Sequence, residues 1–300
     1  MLELLKDTKI DFIGFRKKAF ILSACLVVLG VIAFIMVSLG KANLSVDFTG
    51  GTALRIQFTN KIAIGDLRKA LVAGGIEDVQ VQELSGVGEF FIKTKVSDTA
   101  SQKVGEKVAS ILSSQFPGTK FQVLESNMVG PGIGKELKNY AILAVCLALL
   151  GIIGYIWWRF TFISGIAATI ATFHDVVAIL GVFYLMNKEL NLLIITALLT
   201  VAGYSLQDTV VVFDRIRENA AKMKSKDDFG VVINRSINEV LSRTIVTGIS
   251  TLLALGAIMV LGGDVLFDFA FALFIGLIVG TYSSIFVASP LVYMWRQKKL

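Results

Sequence analysis

Three hundred residues, 55% hydrophobic and 17% charged, carry too little charge for an ordinary soluble domain and point to an integral membrane protein. The net charge of +6 sits beside apolar runs, where it sets topology, so nucleic-acid binding is not expected. Cys25 and Cys146 fall inside apolar runs, CxxC spacing is absent, and the chain has one histidine. Together these exclude a disulfide framework and a Cys/His zinc site, and no cofactor is expected.

Residues 1–19 form an amino-terminal segment in which Leu2–Lys18 alternates apolar and basic residues. It reads either as an interfacial helix or as a solvated tail. Phe20–Leu39 is too long for a signal-peptide core and is predicted to be a retained first span. Residues 40–138 are polar enough to form a separate domain. Ser45–Phe58 reads as a strand broken at Gly50-Gly51, and Ile64–Ala73 as a helix. Asp78–Leu84 and Glu89–Lys95 read as paired strands, Ser101–Ser114 as a second helix and Lys120–Leu124 as a last strand. The order β-α-β-β-α-β is that of the split βαβ, ferredoxin-like α+β domains. Gly130-Pro131-Gly132-Ile133-Gly134 predicts a bend or hinge. It is not a nucleotide-binding loop, because Val129 stands where that motif needs glycine and Glu136 where it needs Ser or Thr.

Residues 139–300 supply five further segments of roughly 20 residues: Tyr140–Phe160, Phe162–Met186, Leu190–Phe213, Thr244–Leu261 and Val265–Trp295. The fold expected is thus a bundle of six transmembrane helices with an inserted extracytoplasmic domain. A charged loop is expected at about 214–242. Lys and Arg cluster at the amino terminus, at the carboxyl terminus and in that loop, so these three are expected in the cytoplasm and residues 40–138 outside.

Ionisable groups inside spans cost at least ~2.5 kcal/mol on insertion scales and are by default functional. Span three carries His174 and Asp175. Span four carries Asp208, with Thr200, Tyr204, Ser205, Gln207 and Thr209 around it. Arg243 opens span five, at the boundary where span four is expected to end, and could reach Asp208. Tyr204, Asp208, Val211 and Arg215 share one helix face, which makes Arg215 a rival partner. The groups read either as glue between helices, with arginine snorkelling to the interface, or as a proton or ion relay. In the second reading, moving the arginine would switch the protonation of Asp208. Asp214 and Arg215 read as a cytoplasmic anchor as readily as a working pair. Gly276 and Gly280 in span six form a GxxxG pattern, and Gly151 and Gly154 lie in span two. No nucleophile–base set or metal cluster appears, so an enzyme is not expected.

Six motifs in order resemble the SecD/SecF family of the resistance–nodulation–division superfamily, over nearly the whole chain. Val46-Asp47-Phe48-Thr49-Gly50-Gly51-Thr52 is similar to the family's DFxGGT signature. Val129 to Leu137, containing Gly130, Pro131, Gly132 and Gly134, is similar to its VGPxVGxEL signature. Phe173-His174-Asp175, Asp208 to Glu218, Ser242-Arg243-Thr244 and Gly280 to Ser284 also match. Ile133 replaces the usual valine, and Gln207 stands where asparagine is common. The resemblance implies that Asp208 and Arg243 match residues tied to proton conduction, completed by an aspartate on a SecD subunit. It further implies a complex with SecD, with the SecYEG channel and often with YajC in a bacterial cytoplasmic membrane. There the proton-motive force would draw preproteins outward after the ATP-driven stage. Half of a small-molecule or lipid exporter, and a non-conducting scaffold, are the alternatives.

Overall fold

A computed structural model describes residues 8–60, 62–76, 79–84, 88–94, 104–224 and 228–297. Its contacts divide the chain into two units, Leu44–Leu143 on one hand, and Met1–Asn43 with Ala144–Leu300 on the other.

The smaller unit holds α2 (Val46–Thr49), β1 (Gly51–Phe58), α3 (Ile64–Ala73), β2 (Gln80–Glu83), β3 (Glu89–Thr94), α4 (Val104–Gln115) and β4 (Phe121–Val129). The four strands form one sheet in the order β2-β3-β1-β4, antiparallel throughout. Period-2 alternation turns Leu54, Ile56 and Phe58 of β1 and Phe90 and Ile92 of β3 into a core shared with Leu67 and Leu71 of α3 and Val108, Ile111 and Leu112 of α4. Phe58 lies edge-on to Phe90 at 5.8 Å between centroids. The expected strand from Ser45 is in fact a turn of helix followed by a strand. The Ser45 side chain accepts a hydrogen bond from the Asp47 backbone N–H and caps α2. Gly50 and Gly51 then take φ of 68° and 131°, which re-aims the chain into β1. β4 runs five residues further than expected, because its polar stretch Glu125–Asn127 pairs with β1 as Val123 does. Lys95 and Ser101–Lys103, expected in β3 and in the second helix, lie outside the described residues, as do Asp78 and Ser85–Val87.

The other unit contains α1 (Arg16–Ser38), α6 (Phe162–Leu185), α7 (Leu192–Ala221), α8 (Phe229–Leu261), α9 (Gly263–Ser283) and α10 (Ser289–Gln297), with a π turn at Ser284–Ala288 between the last two. α5 (Pro131–Arg159) begins in the smaller unit and ends in this one. Among the described residues, six helical stretches are long and apolar enough to cross a membrane, and α9, the π turn and α10 together make the sixth. α6 is the most enclosed, with 61% of its apolar window buried, against 17% for α1 and 11% for α5 and α8. α6, α7 and α9 therefore form the centre, and α1 and α8 pack on its outside.

Small residues set the closest contacts. A Cβ on Gly181 of α6 would stand 2.9 Å from the Gly30 nitrogen of α1, so two backbones touch there. A Cβ on Gly280 of α9 would meet the Ser205 Cβ of α7 at 2.9 Å, and Gly276 receives Val201. Nothing lies within 4 Å of such an atom at Gly151 or Gly154. The GxxxG pattern of span six thus marks a contact, and the glycines of span two do not. Gly181→Leu is expected to destabilise the bundle by about 1–3 kcal/mol, read as a lower thermal unfolding midpoint in detergent. Gly154→Leu should leave that midpoint in place.

The loop expected at 214–242 is largely helical. α7 continues to Ala221 and α8 begins at Phe229. The charges that suggested a loop instead gather on one carboxylate of α8. Arg215 reaches Glu239 at 2.6 Å, Arg235 reaches the same carboxylate at 2.8 Å, and Asn219 donates to it at 2.7 Å. The hinge expected around Pro131 is likewise helical from Pro131 onward, a position where the missing N–H costs nothing. The amino-terminal segment, where described, is neither an interfacial helix nor a free tail. Phe12 and Ile13 are buried. Asn238 exchanges two hydrogen bonds with the Ile10 backbone, and Asn234 accepts from the Ile13 N–H and donates to Asp11.

Candidate functional site

The polar residues of α6, α7 and α9 meet in the centre of the bundle. Asp175 is fully buried and makes three hydrogen bonds. His174 Nδ1 lies 2.8 Å from Oδ1, Ser283 of α9 donates to Oδ2 at 2.7 Å, and Ser205 of α7 donates to the same oxygen. One carboxylate therefore ties three helices together. Gly280 makes this possible by letting Ser205 approach α9.

Asp208 lies three residues beyond Ser205 on α7 and is 8% exposed. It accepts from Thr281 Oγ1 at 3.0 Å. α9 thus carries one hydroxyl for each carboxylate, Thr281 for Asp208 and Ser283 for Asp175, and α7 carries both Ser205 and Asp208. Between them, Tyr282 turns toward α1. Its hydroxyl donates to the Ala19 carbonyl at 2.7 Å and meets Ser23 Oγ at 3.1 Å, while its ring lies 6.4 Å from that of His174. The π turn starts two residues later, and such turns often mark functional positions.

Neither arginine proposed for Asp208 is bonded to it. Arg215 is held by Glu218 and Glu239, which compete for its guanidinium in the polar part of the bundle. Arg243 is exposed, and its guanidinium makes no hydrogen bond or ion pair among the described residues. Asp214 is bound by both oxygens to Arg159 of α5, at 2.7 and 2.9 Å, and by Arg217 at 3.3 Å. It is therefore an inter-helix anchor. Tyr204 shares its hydroxyl with Thr251 of α8 at 3.2 Å, so it does not line Asp208 by hydrogen bonding. Gln207 is exposed and its side chain has no hydrogen bond among the described residues. Thr196, Thr200, Gly203 and Gln207 form an exposed stripe on α7, and Arg243, Thr247 and Ser250 one on α8. The threonine and serine hydroxyls on both stripes bond back to their own helices. Gln207 and Arg243 are left as the polar groups those faces present outward.

The motif glycines of the smaller unit have a structural office. A Cβ on Gly134 would lie 2.8 Å from the Gly50 nitrogen and 3.5 Å from the Asp47 carbonyl, so α2 sits against the first turn of α5. A Cβ on Gly51 would lie 2.5 Å from the Thr94 carbonyl. Gly130 and Gly132 meet nothing within 4 Å.

The residues that sequence reasoning missed are Ser23 and Arg159. Ser23 lies in a run with no other polar signal. Arg159 closes span two, and matching its depth to Asp214 would have suggested the pair.

The apolar helices, the small antiparallel sheet and the two carboxylates enclosed between central helices define a multi-pass membrane protein with a polar core. Residues 107–298 match the family described as "Protein export membrane protein SecD/SecF, C-terminal". The protein translocase subunit SecF of Thermodesulfovibrio yellowstonii is 46% identical over all of this chain and 99% of its own. That of Desulfurispirillum indicum is 42% identical over 96% of this chain and 92% of its own. Among solved structures, the translocon-associated membrane protein SecDF from a Thermus species superposes with a TM-score of 0.84 at 37% identity. That match covers 97% of this chain and 39% of the solved chain. A second SecDF structure, in a super-membrane-facing form, gives a TM-score of 0.69 at 36% identity, over 98% of this chain and 40% of the other. The chain belongs to the SecD/SecF family, and it spans about two fifths of the solved SecDF chains.

Proposed function

We infer that this chain is a subunit of the Sec protein-translocation machinery, and we propose that it couples proton movement to late, ATP-independent preprotein export. The observation that carries the coupling is Asp208. This carboxylate is enclosed in the bundle with one hydroxyl partner and no cation bonded to it among the described residues. An ionisable group so placed marks an ion or proton path. Arg243, exposed on α8 and without an ion pair among the described residues, is the mobile countercharge of this reading, approaching Asp208 in another state of the cycle. His174 and Asp175 belong to the same polar core. Gln207, Tyr204, Asp214 and Arg215 are secondary, and Asp214 and Arg215 act as anchors.

A SecD subunit is the proposed partner for the outward stripes of α7 and α8, because Gln207 and Arg243 there would otherwise face lipid. The SecYEG channel, YajC and the preproteins themselves complete the proposed assembly. The role is not enzymatic. The sheet order β2-β3-β1-β4, with α3 and α4 contributing to one core, supports a ferredoxin-like reading of the smaller unit. Basic flanks support a bacterial inner-membrane location with cytoplasmic termini, residues 40–138 outside, and the linkage of α7 to α8 in the cytoplasm. The test is co-reconstitution with SecD and SecYEG under an imposed proton gradient, comparing wild type with Asp208→Asn for late export and proton flux. Equal performance would refute the coupling and favour a scaffold.

A further inference from the structure

We propose that His174 and Asp175 form a second proton-binding site in the membrane core, distinct from Asp208, which takes up its proton on His174 Nε2. The assignment begins at the carboxylate. Both Asp175 oxygens are occupied, Oδ1 facing His174 Nδ1 at 2.8 Å and Oδ2 accepting from the hydroxyls of Ser205 and Ser283. The two serine hydroxyls donate to Oδ2, so the hydrogen of the His174–Asp175 bond lies on Nδ1 or on Oδ1. With the hydrogen on Nδ1, Nε2 of the neutral ring keeps a bare lone pair. That nitrogen is buried, in a side chain 4% exposed, with no protein partner among the described residues.

The reverse arrangement is worse. A protonated Asp175 donating to Nδ1 would put an N–H on Nε2 with no acceptor, and buried donors are the groups least often left unpaired. The pair as built is a base beside a buried anion. α1, α7 and α9 bring hydroxyl groups to its surroundings, Ser23 and Ser205 from the first two and Ser283 and Tyr282 from the third. Tyr282 is the titratable one among them, and its hydroxyl is engaged by Ala19 and Ser23. No lysine, arginine or further carboxylate from any packed element bonds the pair among the described residues. One proton delivered by hydronium adds to Nε2, with one O–H bond broken and one N–H bond formed, and makes an imidazolium–carboxylate pair with no net charge. Its return to water by the reverse exchange restores the anion.

The two sites share helices α7 and α9, through Ser205 and Asp208 on one and Thr281 and Ser283 on the other. A shift of α9 along α7 would act on both. The use of the second site in driving export rests on the proton-coupled reading above, but the site itself does not.

His174 is the sole histidine of the chain, so a [15N]histidine label reports one imidazole without mutation. The experiment is solid-state NMR of the labelled full chain in lipid bilayers, alone and with unlabelled SecD, across a pH series. At high pH the expected state has Nδ1 protonated and Nε2 bare. On lowering the pH, Nε2 moves to the protonated position, and the same titration is seen in Asp208→Asn. In proteoliposomes, His174→Gln lowers proton flux at least tenfold at equal incorporation. A bare Nε2 down to the lowest pH at which the fold persists, or a protonated Nε2 throughout, overturns the proposal. If Asp208→Asn leaves export unchanged while Nε2 still titrates, the relay reading fails and this site stands.

Discussion

Replacing Asp208 by asparagine is expected to lower gradient-driven export and proton flux by on the order of a hundredfold, the scale of a positioned proton carrier. The substitution keeps the size of the side chain and its ability to accept from Thr281 at 3.0 Å, so the fold should survive. Only the ability to gain and lose a proton is removed. ATP-driven early export by the channel should be unaffected, and assembly with SecD should be unchanged on a native gel. That combination separates a coupling group from helix glue. If assembly and flux fall together, Asp208 is a structural residue and Thr281 is merely its partner.

The largest stability effect is expected one helix away. Asp175→Ala removes the common acceptor of His174, Ser205 and Ser283. Each buried group left unpaired costs about 1–3 kcal/mol, although the serine hydroxyls can turn to backbone carbonyls. Ser283 already lies 3.1 Å from the Gly280 carbonyl. A net loss of roughly 3–5 kcal/mol is expected, as for breaking a buried pair. Thermal unfolding in detergent measures it. Asp268→Asn is the control. Its bond to Lys188, at 2.6 Å, joins side chains 31% and 25% exposed, and such pairs contribute about 0–1 kcal/mol. Equal losses in the two variants would contradict the tie between α6, α7 and α9.

The helices of this protein were largely legible, because a span of lipid thickness imposes an unbroken apolar run that no other structure needs. α3 and the start of α6 at Phe162 coincide with the sequence reading. What misled was charge. The Lys and Arg cluster at about 214–242 reads as a loop in the sequence, yet charge reports contact with water and not the path of the backbone. On facing helical extensions Arg215 of α7 pairs with Glu239 of α8, and Arg235 joins the same carboxylate from within α8. The helix α2 was hidden for a different reason. Four residues carry little periodicity, and only the Ser45 cap and the two glycines after it betray the turn. Within the site, the ionisable residues were legible one by one, since each is costly in lipid. Their partners were not. Asp175 and Ser283 are 108 residues apart, and Arg159 and Asp214 are 55 apart. Helix periodicity says which residues share a face but not which face of another helix they meet.

The π turn at Ser284–Ala288 amounts to one residue more than an α-helix would use for the same path. Its surplus residue sets the phase of everything after it. Ser289 bonds the Ser284 carbonyl five residues back, at 2.9 Å, and Arg16 lies over the Tyr293 ring at 5.4 Å. Deleting one residue inside the turn would let the helix close with ordinary spacing, turning α10 by about 100° and drawing it in by about 1.5 Å. Val292 and Tyr293, now buried against the amino-terminal strap and α8, would swing away, while Thr281 and Ser283 upstream would stay in place. A single codon thus separates the alignment of Thr281 and Ser283 with their carboxylates from the alignment of the end cap, and the two halves of the last span can be rotated against each other by a length change that alters no side chain in either.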